Sequence, residues 1–109
     1  MAKTLDFNTL KKQYLTVTLT DEEKTKVMII PPTKKVLNDF LSMKESLSGD
    51  IGDQAIDELY GLVAKLMSHN KVGKVITKET IESTMDVEDI IVFIRAYTEF
   101  IAEVTNSKN

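Results

Sequence analysis

Apolar and polar residues alternate strictly over residues 14–20, so that every second side chain falls on the same side of the chain. A period of two is typical of a half-buried β-strand. A second stretch of β-favouring residues, 25–30, follows a short charged segment, and Pro31 and Pro32 end it because proline donates no hydrogen bond to a sheet. The pattern predicts an N-terminal β-hairpin with strands at about 14–20 and 25–30.

From Thr33 onward, apolar residues recur every three or four positions, which is the period of an α-helix. The pattern predicts four helices, at about 34–47, 53–69, 78–84 and 87–104. Short polar side chains that can accept a hydrogen bond from a free backbone amide precede or begin these helices: Thr33, Asp53, Thr77 and Asp86. The sequence therefore predicts a mainly helical α+β fold in a single domain, 1–109, with a lead-in at 1–13 and a frayed tail at 105–109.

A glycine interrupts the second predicted helix at position 61. Glycine in a helix interior costs about 1 kcal/mol relative to alanine. We expect a neighbouring element to pack closely against Gly61, since close packing is a common reason for a glycine in such a position.

The last predicted helix is apolar over about half of its circumference. One side is rich in isoleucine: Val87, Ile90, Ile91, Ile94 and Ile101. The other side is rich in aromatic residues: Phe93, Tyr97, Phe100 and Val104. A surface helix needs an apolar arc of only about 100°. The helix is therefore either the centre of the fold or buries one flank against another protein, and Ile91, Phe93 and Phe100 are the candidate partner-binding residues.

Composition narrows the class of protein. Hydrophobic residues make up 42% and charged residues 28% of the 109 positions, which fits one compact globular domain. The longest apolar run, Ile90 to Ile94, is far shorter than the roughly 20 residues of a membrane span. The chain contains no cysteine and its first residues show no apolar signal-peptide segment, so we expect a cytoplasmic protein without a membrane partner.

The residues that usually carry catalysis are scarce. His69 is the only histidine, and the four glycines form no phosphate-binding loop. We expect His69 to cap a helix end, where the dipole favours a partly charged imidazole. Asp86, Glu88 and Asp89 lack the alternating ligand spacing of a calcium loop and are explained as the cap and first-turn acids of a helix. The sequence predicts a non-enzymatic protein with no cofactor and no metal.

Residues 66–85 also fit a helix-turn-helix, and four lysines lie near its turn: Lys65, Lys71, Lys74 and Lys78. However, 14 basic residues against 17 acidic ones leave a net charge of -3, which repels a phosphate backbone. The second helix of the pair carries Glu79 and Glu82 and has no arginine, asparagine or glutamine to bind base edges. A helix-turn-helix regulator therefore stays an alternative, and nucleic acid is not the expected partner.

Three stretches carry a resemblance to a known family. They are LDFNTLKKQYLTVTLTDEE, then PPTKKVLNDFL, and the closing ITKETIESTMDVEDIIVFIRAYTEFIAEV. Together they resemble tail assembly chaperones, small proteins encoded in the tail modules of phages and prophages of Firmicutes. The resemblance implies a non-enzymatic helper in the bacterial host cell that binds the long, helical tape-measure protein, keeps it soluble, and helps tail-tube subunits polymerise around it. A structural head–tail connector, or another virion component, is the alternative.

The predicted hairpin also bears on self-association. An unpaired strand edge can add a strand from a second copy of the chain. We therefore expect this protein to form a homo-oligomer.

Overall fold

A computed structural model of the protein describes residues 6, 13–46 and 52–106. β1 (Leu15–Thr18) and β2 (Lys26–Ile29) form an antiparallel hairpin. Four helices follow in chain order: α1 (Lys34–Ser46), α2 (Asp53–Ser68), α3 (Lys78–Thr84) and α4 (Val87–Asn106). The structure therefore confirms the predicted mainly helical α+β fold with an N-terminal hairpin.

The observed elements differ from the predicted ones mainly at their ends. Both strands are shorter than predicted, and α4 continues to Asn106, two residues beyond the predicted end. The hydroxyl of Thr105 donates a hydrogen bond to the carbonyl of Ile101, 2.9 Å away, within this last turn. Most of the predicted lead-in, residue 47, and positions 107–109 of the predicted tail lie outside the described residues.

The hairpin turn is closed by one carboxylate. Asp21 accepts hydrogen bonds from the amide of Thr25 at 2.9 Å and from its hydroxyl at 2.6 Å. These bonds hold the pKa of Asp21 below its ordinary value because they favour the charged carboxylate. Lys24 takes the left-handed conformation that a tight turn needs, with a φ of 50°. The charged segment between the strands is thus an ordered turn.

β2 is hydrogen-bonded on both of its edges. On the edge away from β1, the amide of Ile30 donates to the carbonyl of His69 (3.1 Å), and the amide of Lys71 donates to the carbonyl of Met28 (2.9 Å). Asn70, between these two loop residues, therefore lies alongside β2 in an antiparallel bridge. Among the described residues, the free edge of this small sheet therefore belongs to β1.

The core gathers around one tyrosine of α4. The ring of Tyr97 lies edge-on to Phe40 of α1 at 5.0 Å between centroids, and it also contacts Phe93 and Phe100 at 5.9 and 6.1 Å. Such aromatic pairs contribute beyond the area that they bury. Ile90, one turn before Phe93, is fully buried as well. α4 thus supplies a continuous stripe of core residues, but α2 is the central helix, because it contacts α1, α3, α4 and β2.

Three of the four predicted caps are confirmed. Thr33 and Thr77 accept hydrogen bonds from backbone amides in the first turns of α1 and α3, and Asp86 does so for α4. The prediction for Asp53 is wrong, because α2 begins at Asp53 and Gly52 occupies the N-cap position without a side-chain hydrogen bond. Glycine is tolerated at an N-cap because it restricts the backbone least.

The expectation of close packing at Gly61 is also wrong. A Cβ built there would have as its nearest neighbour the Cδ atom of Lys78, 3.9 Å away, which is an ordinary van der Waals distance. Space for a methyl group is therefore present.

Replacing Gly61 with alanine should stabilise the protein. Alanine is the better helix former, so we expect the free energy of unfolding in a urea titration to rise by about 0.5–1 kcal/mol for Gly61→Ala. The control is Gly73→Ala, which should destabilise because Gly73 has a φ of 71°, a conformation unfavourable to alanine. A loss of stability in Gly61→Ala would show that a neighbouring group leaves no space for a methyl group at this position.

Candidate functional site

The structure shows which flank of α4 faces outward. Phe93 and Phe100, on the aromatic side, are only 5% and 4% exposed and belong to the core. Ile91, on the isoleucine side, is 45% exposed. The role of all three residues in partner binding stays a prediction, but only Ile91 presents an accessible side chain.

A regular stripe of four aliphatic residues and one threonine runs along this open side. Its members are spaced four, three, four and three residues apart, and we call it the Ile91 stripe: Val87, Ile91, Ile94, Thr98 and Ile101. Val87 and Ile91 are exposed, and the other three are half-buried. Alternating spacings of three and four produce the seam by which one helix packs against another. The Ile91 stripe therefore fits a helical partner.

A second surface, the edge groove, lies between β1 and α4. It is lined by β1 together with Leu19 and Thr20, and on the α4 side by Asp89, Val92, Phe93 and Ala96; its volume is about 300 Å³. Val92 is 58% exposed at this groove. Within residues 13–46 and 52–106, no hydrogen bond reaches the outward amides and carbonyls of Thr16 and Thr18. The groove thus combines apolar side chains with free backbone groups.

Sequence reasoning missed Val92, although a signal for it exists. The residue stands in the middle of the five-residue apolar run from Ile90 to Ile94. Successive residues of a helix are rotated by about 100°, so five in a row cannot all face one core. At least one residue of the run had to point outward, and Val92 is the most exposed of them.

The acidic residues at the start of α4 are engaged in a reciprocal cap. The amide of Asp89 donates to the carboxylate of Asp86 at 2.8 Å, and the amide of Asp86 donates to the carboxylate of Asp89 at 3.1 Å. This arrangement satisfies two backbone donors that a helix start leaves free. In the part of the chain that the structure describes, no three His, Cys, Asp or Glu side chains are grouped so that they could hold a metal ion.

His69 stands at the C-cap of α2, where a capping role was predicted. Its amide donates to the carbonyl of Leu66 at 3.2 Å, and its ring Nε2 lies 3.2 Å from the carbonyl oxygen of Pro31. The imidazole therefore joins the end of α2 to the end of the hairpin. These contacts give His69 a structural role.

Most of the lysines near the predicted helix-turn-helix have partners within the fold: Lys65 with Asp39, Lys78 with Asp57, and Lys71 with the ring of Tyr14. The hydrogen bond that Lys78 donates to the carboxylate of Asp57, at 2.6 Å, raises the pKa of Lys78 because it favours the charged ammonium. In addition, the connection between α2 and α3 spans residues 69–77, whereas a helix-turn-helix uses a turn of about 3–4 residues. This geometry does not favour a DNA-binding surface.

Among residues 13–46 and 52–106, no helix combines the length and the apolar character needed to cross a bilayer. No protein-family model, curated protein or solved structure matches the chain. The functional argument therefore rests on the Ile91 stripe and the edge groove.

Proposed function

We propose that this protein is a non-catalytic binding protein whose partner is an amphipathic helix held along the Ile91 stripe. The observation that carries the proposal is the four-three spacing of the Ile91 stripe, four aliphatic residues and Thr98, on the open side of α4, with Val87 and Ile91 each 45% exposed. A partner helix with apolar residues at the same spacing buries both stripes at once. Exposed apolar residues in such a row are typical of interaction sites.

We base the identity of the partner, the client of this binding protein, on the resemblance to tail assembly chaperones. We assign the partner helix to the tape-measure protein of a phage or prophage tail, and place the complex in the bacterial cytoplasm before tail-tube subunits assemble. A long helical client aggregates through its apolar stripes, and a small acidic binder with a matching stripe covers one of them. The sequence pI near 5.1 supports solubility of such a complex near neutral pH.

Replacing Ile91 with lysine should separate binding from folding. In co-expression with the tape-measure protein of the same tail module, the wild-type chain should co-purify with its client and raise the soluble fraction of that client. Ile91→Lys places a charge in the middle of the stripe, so we expect a loss of at least about tenfold in co-purified client, the equivalent of 1.4 kcal/mol. Thermal unfolding of the variant should change little, since the side chain is already half-exposed.

Val72→Lys is the matched control, because Val72 is 81% exposed in the loop between α2 and α3, away from the stripe. It should bind the client as the wild type does. Undiminished binding by Ile91→Lys would contradict the proposed site. If the chain binds no client and appears in fixed numbers in purified particles, the structural connector is the better description; DNA binding that weakens steeply with salt would favour the regulator.

A further inference from the structure

The edge groove suits a second copy of this chain. Among the described residues, β1 has one unpaired edge, on which the outward amides and carbonyls of Thr16 and Thr18 lack partners, whereas β2 is paired on both edges. Free strand edges add further strands. We propose that two copies pair through their β1 edges into a four-stranded antiparallel sheet, with the two α4 helices side by side against the same face.

The strand register of this dimer follows from the hairpin. The amide of Leu19 donates to the carbonyl of Thr25, 2.8 Å away, so odd-numbered residues of β1 bond to β2 and even-numbered ones point outward. A two-fold axis through Val17 sets Thr16 opposite Thr18 of the second copy, and all of these outward groups are then paired. Threonine pairs across strands are favourable on an exposed sheet face.

The charges on α4 match the same symmetry. Glu88 and Arg95 are both exposed and lie seven residues apart, so they share one face of the helix two turns from each other. Neither forms an ion pair with any other described residue. When a second α4 runs antiparallel about the point midway between them, next to Val92, each Glu88 faces Arg95 of the second copy. The contact therefore holds two ion pairs on either side of apolar residues.

The two-fold centre of the strand contact, at Val17, and that of the helix contact, next to Val92, must lie on one axis. The hydroxyl of Thr20 donates to the carbonyl of Thr84, the last residue of α3, so the end of the hairpin strand lies near the junction that leads into α4. Val17 lies three residues back along the strand, about 10 Å at roughly 3.3 Å per residue. Val17 and Val92 both line the edge groove, so the two centres lie beside each other. A single two-fold axis can thus serve both contacts, as an isologous dimer requires.

Charge reversal provides the first test, by sedimentation velocity and light scattering on the purified chain. The wild type should shift from 12.3 kDa toward twice that mass as concentration rises. Glu88→Arg alone and Arg95→Glu alone each bring like charges together twice, so each should raise the dissociation constant at least about tenfold. An equimolar mixture of these two variants should associate again, because every facing pair is then of opposite charge. The double variant on one chain should also dimerise.

A proline on the strand edge provides the second test. Thr18→Pro removes an outward amide that β2 does not use, so the hairpin can keep its bonds, while the dimer loses two hydrogen bonds by symmetry. We expect at least about a hundredfold weaker association than for the control Thr18→Val, which keeps the amide. Circular dichroism checks that both variants fold; if Thr18→Pro does not, the charge variants still decide.

Two results would overturn this dimer: a wild-type mass that stays at 12.3 kDa up to the solubility limit, or association that neither charge reversal nor the proline alters. Both measurements use the isolated chain, so they do not depend on the proposed client.

Discussion

Asn70→Ala should lower the free energy of unfolding by about 3 kcal/mol, because one buried amide holds three backbone groups. Its Nδ2 donates to the carbonyls of Met67 and Lys74, both at 2.7 Å, and its Oδ1 accepts from the amide of Lys74 at 2.9 Å. Asn70 is only 6% exposed, so water cannot fully replace these bonds. Each unpaired buried polar group costs about 1–3 kcal/mol, reduced here because Lys74 lies at the surface.

A urea titration of Asn70→Ala beside Asn38→Ala measures this effect. Asn38 is exposed on α1, so the same chemical change there should alter stability by at most about 0.5 kcal/mol. Asn70→Asp keeps the acceptor but loses both donors and points a charge at two carbonyls; it should be at least as damaging as alanine. A cost below about 1 kcal/mol for both Asn70 variants would mean that the loop is held by its other contacts.

The same substitution should loosen the hairpin. The loop that contains Asn70 pairs with β2 along the edge that faces away from β1. The carbonyl of His69 and the amide of Lys71 form these hydrogen bonds. Hydrogen exchange at the amides of Ile30 and Lys71 should therefore accelerate in Asn70→Ala more than exchange at the buried centre of α4 does.

The hairpin and helices were predictable because their signals are local. The alternation around β1 and the three-to-four spacing of the helices reflect which side of each element faces the core, and caps such as Thr77 act within four residues. The pairing of Asn70 with β2 was not predictable, because it joins segments about forty residues apart and leaves no periodic pattern. The sequence predicted only that the helix ends before the loop that contains Asn70.

The exposed side of α4 could not be assigned from sequence because both flanks are apolar. The structure places the aromatic flank inward, where Tyr97 packs against Phe40 of α1. A close-packed interior is filled best by the largest side chains, and the isoleucine flank is left partly open. This choice depends on the position of α1, which the pattern within α4 does not contain. The sequence therefore identified the helix that carries the candidate site, but it did not identify which flank of that helix is exposed.

Tyr97 should make the protein unfold more easily as the solution becomes alkaline. Its hydroxyl is buried with no hydrogen-bond partner among the described residues, and this burial raises the pKa of Tyr97 to about 12. Below pH 10 the phenol is protonated in both the folded and the unfolded chain, so stability does not depend on it. Between about pH 10 and 12 only the unfolded chain ionises, which should remove roughly 2–3 kcal/mol of stability.

Tyr97→Phe isolates this contribution. The variant removes an unpaired buried hydroxyl, so it should be about 1 kcal/mol more stable than the wild type at pH 7. Burial and the charges of Asp86 and Asp89 also raise the pKa of Tyr60, so alkaline unfolding of the wild type alone would mix two groups. The difference in unfolding free energy between Tyr97→Phe and the wild type removes the contribution of Tyr60, which both proteins share. This difference should be constant below pH 10 and should increase up to pH 12. A variant less stable at pH 7 would show that the Tyr97 hydroxyl is hydrogen-bonded in solution, and a difference that stays constant to pH 12 would show that the pKa of Tyr97 is not raised.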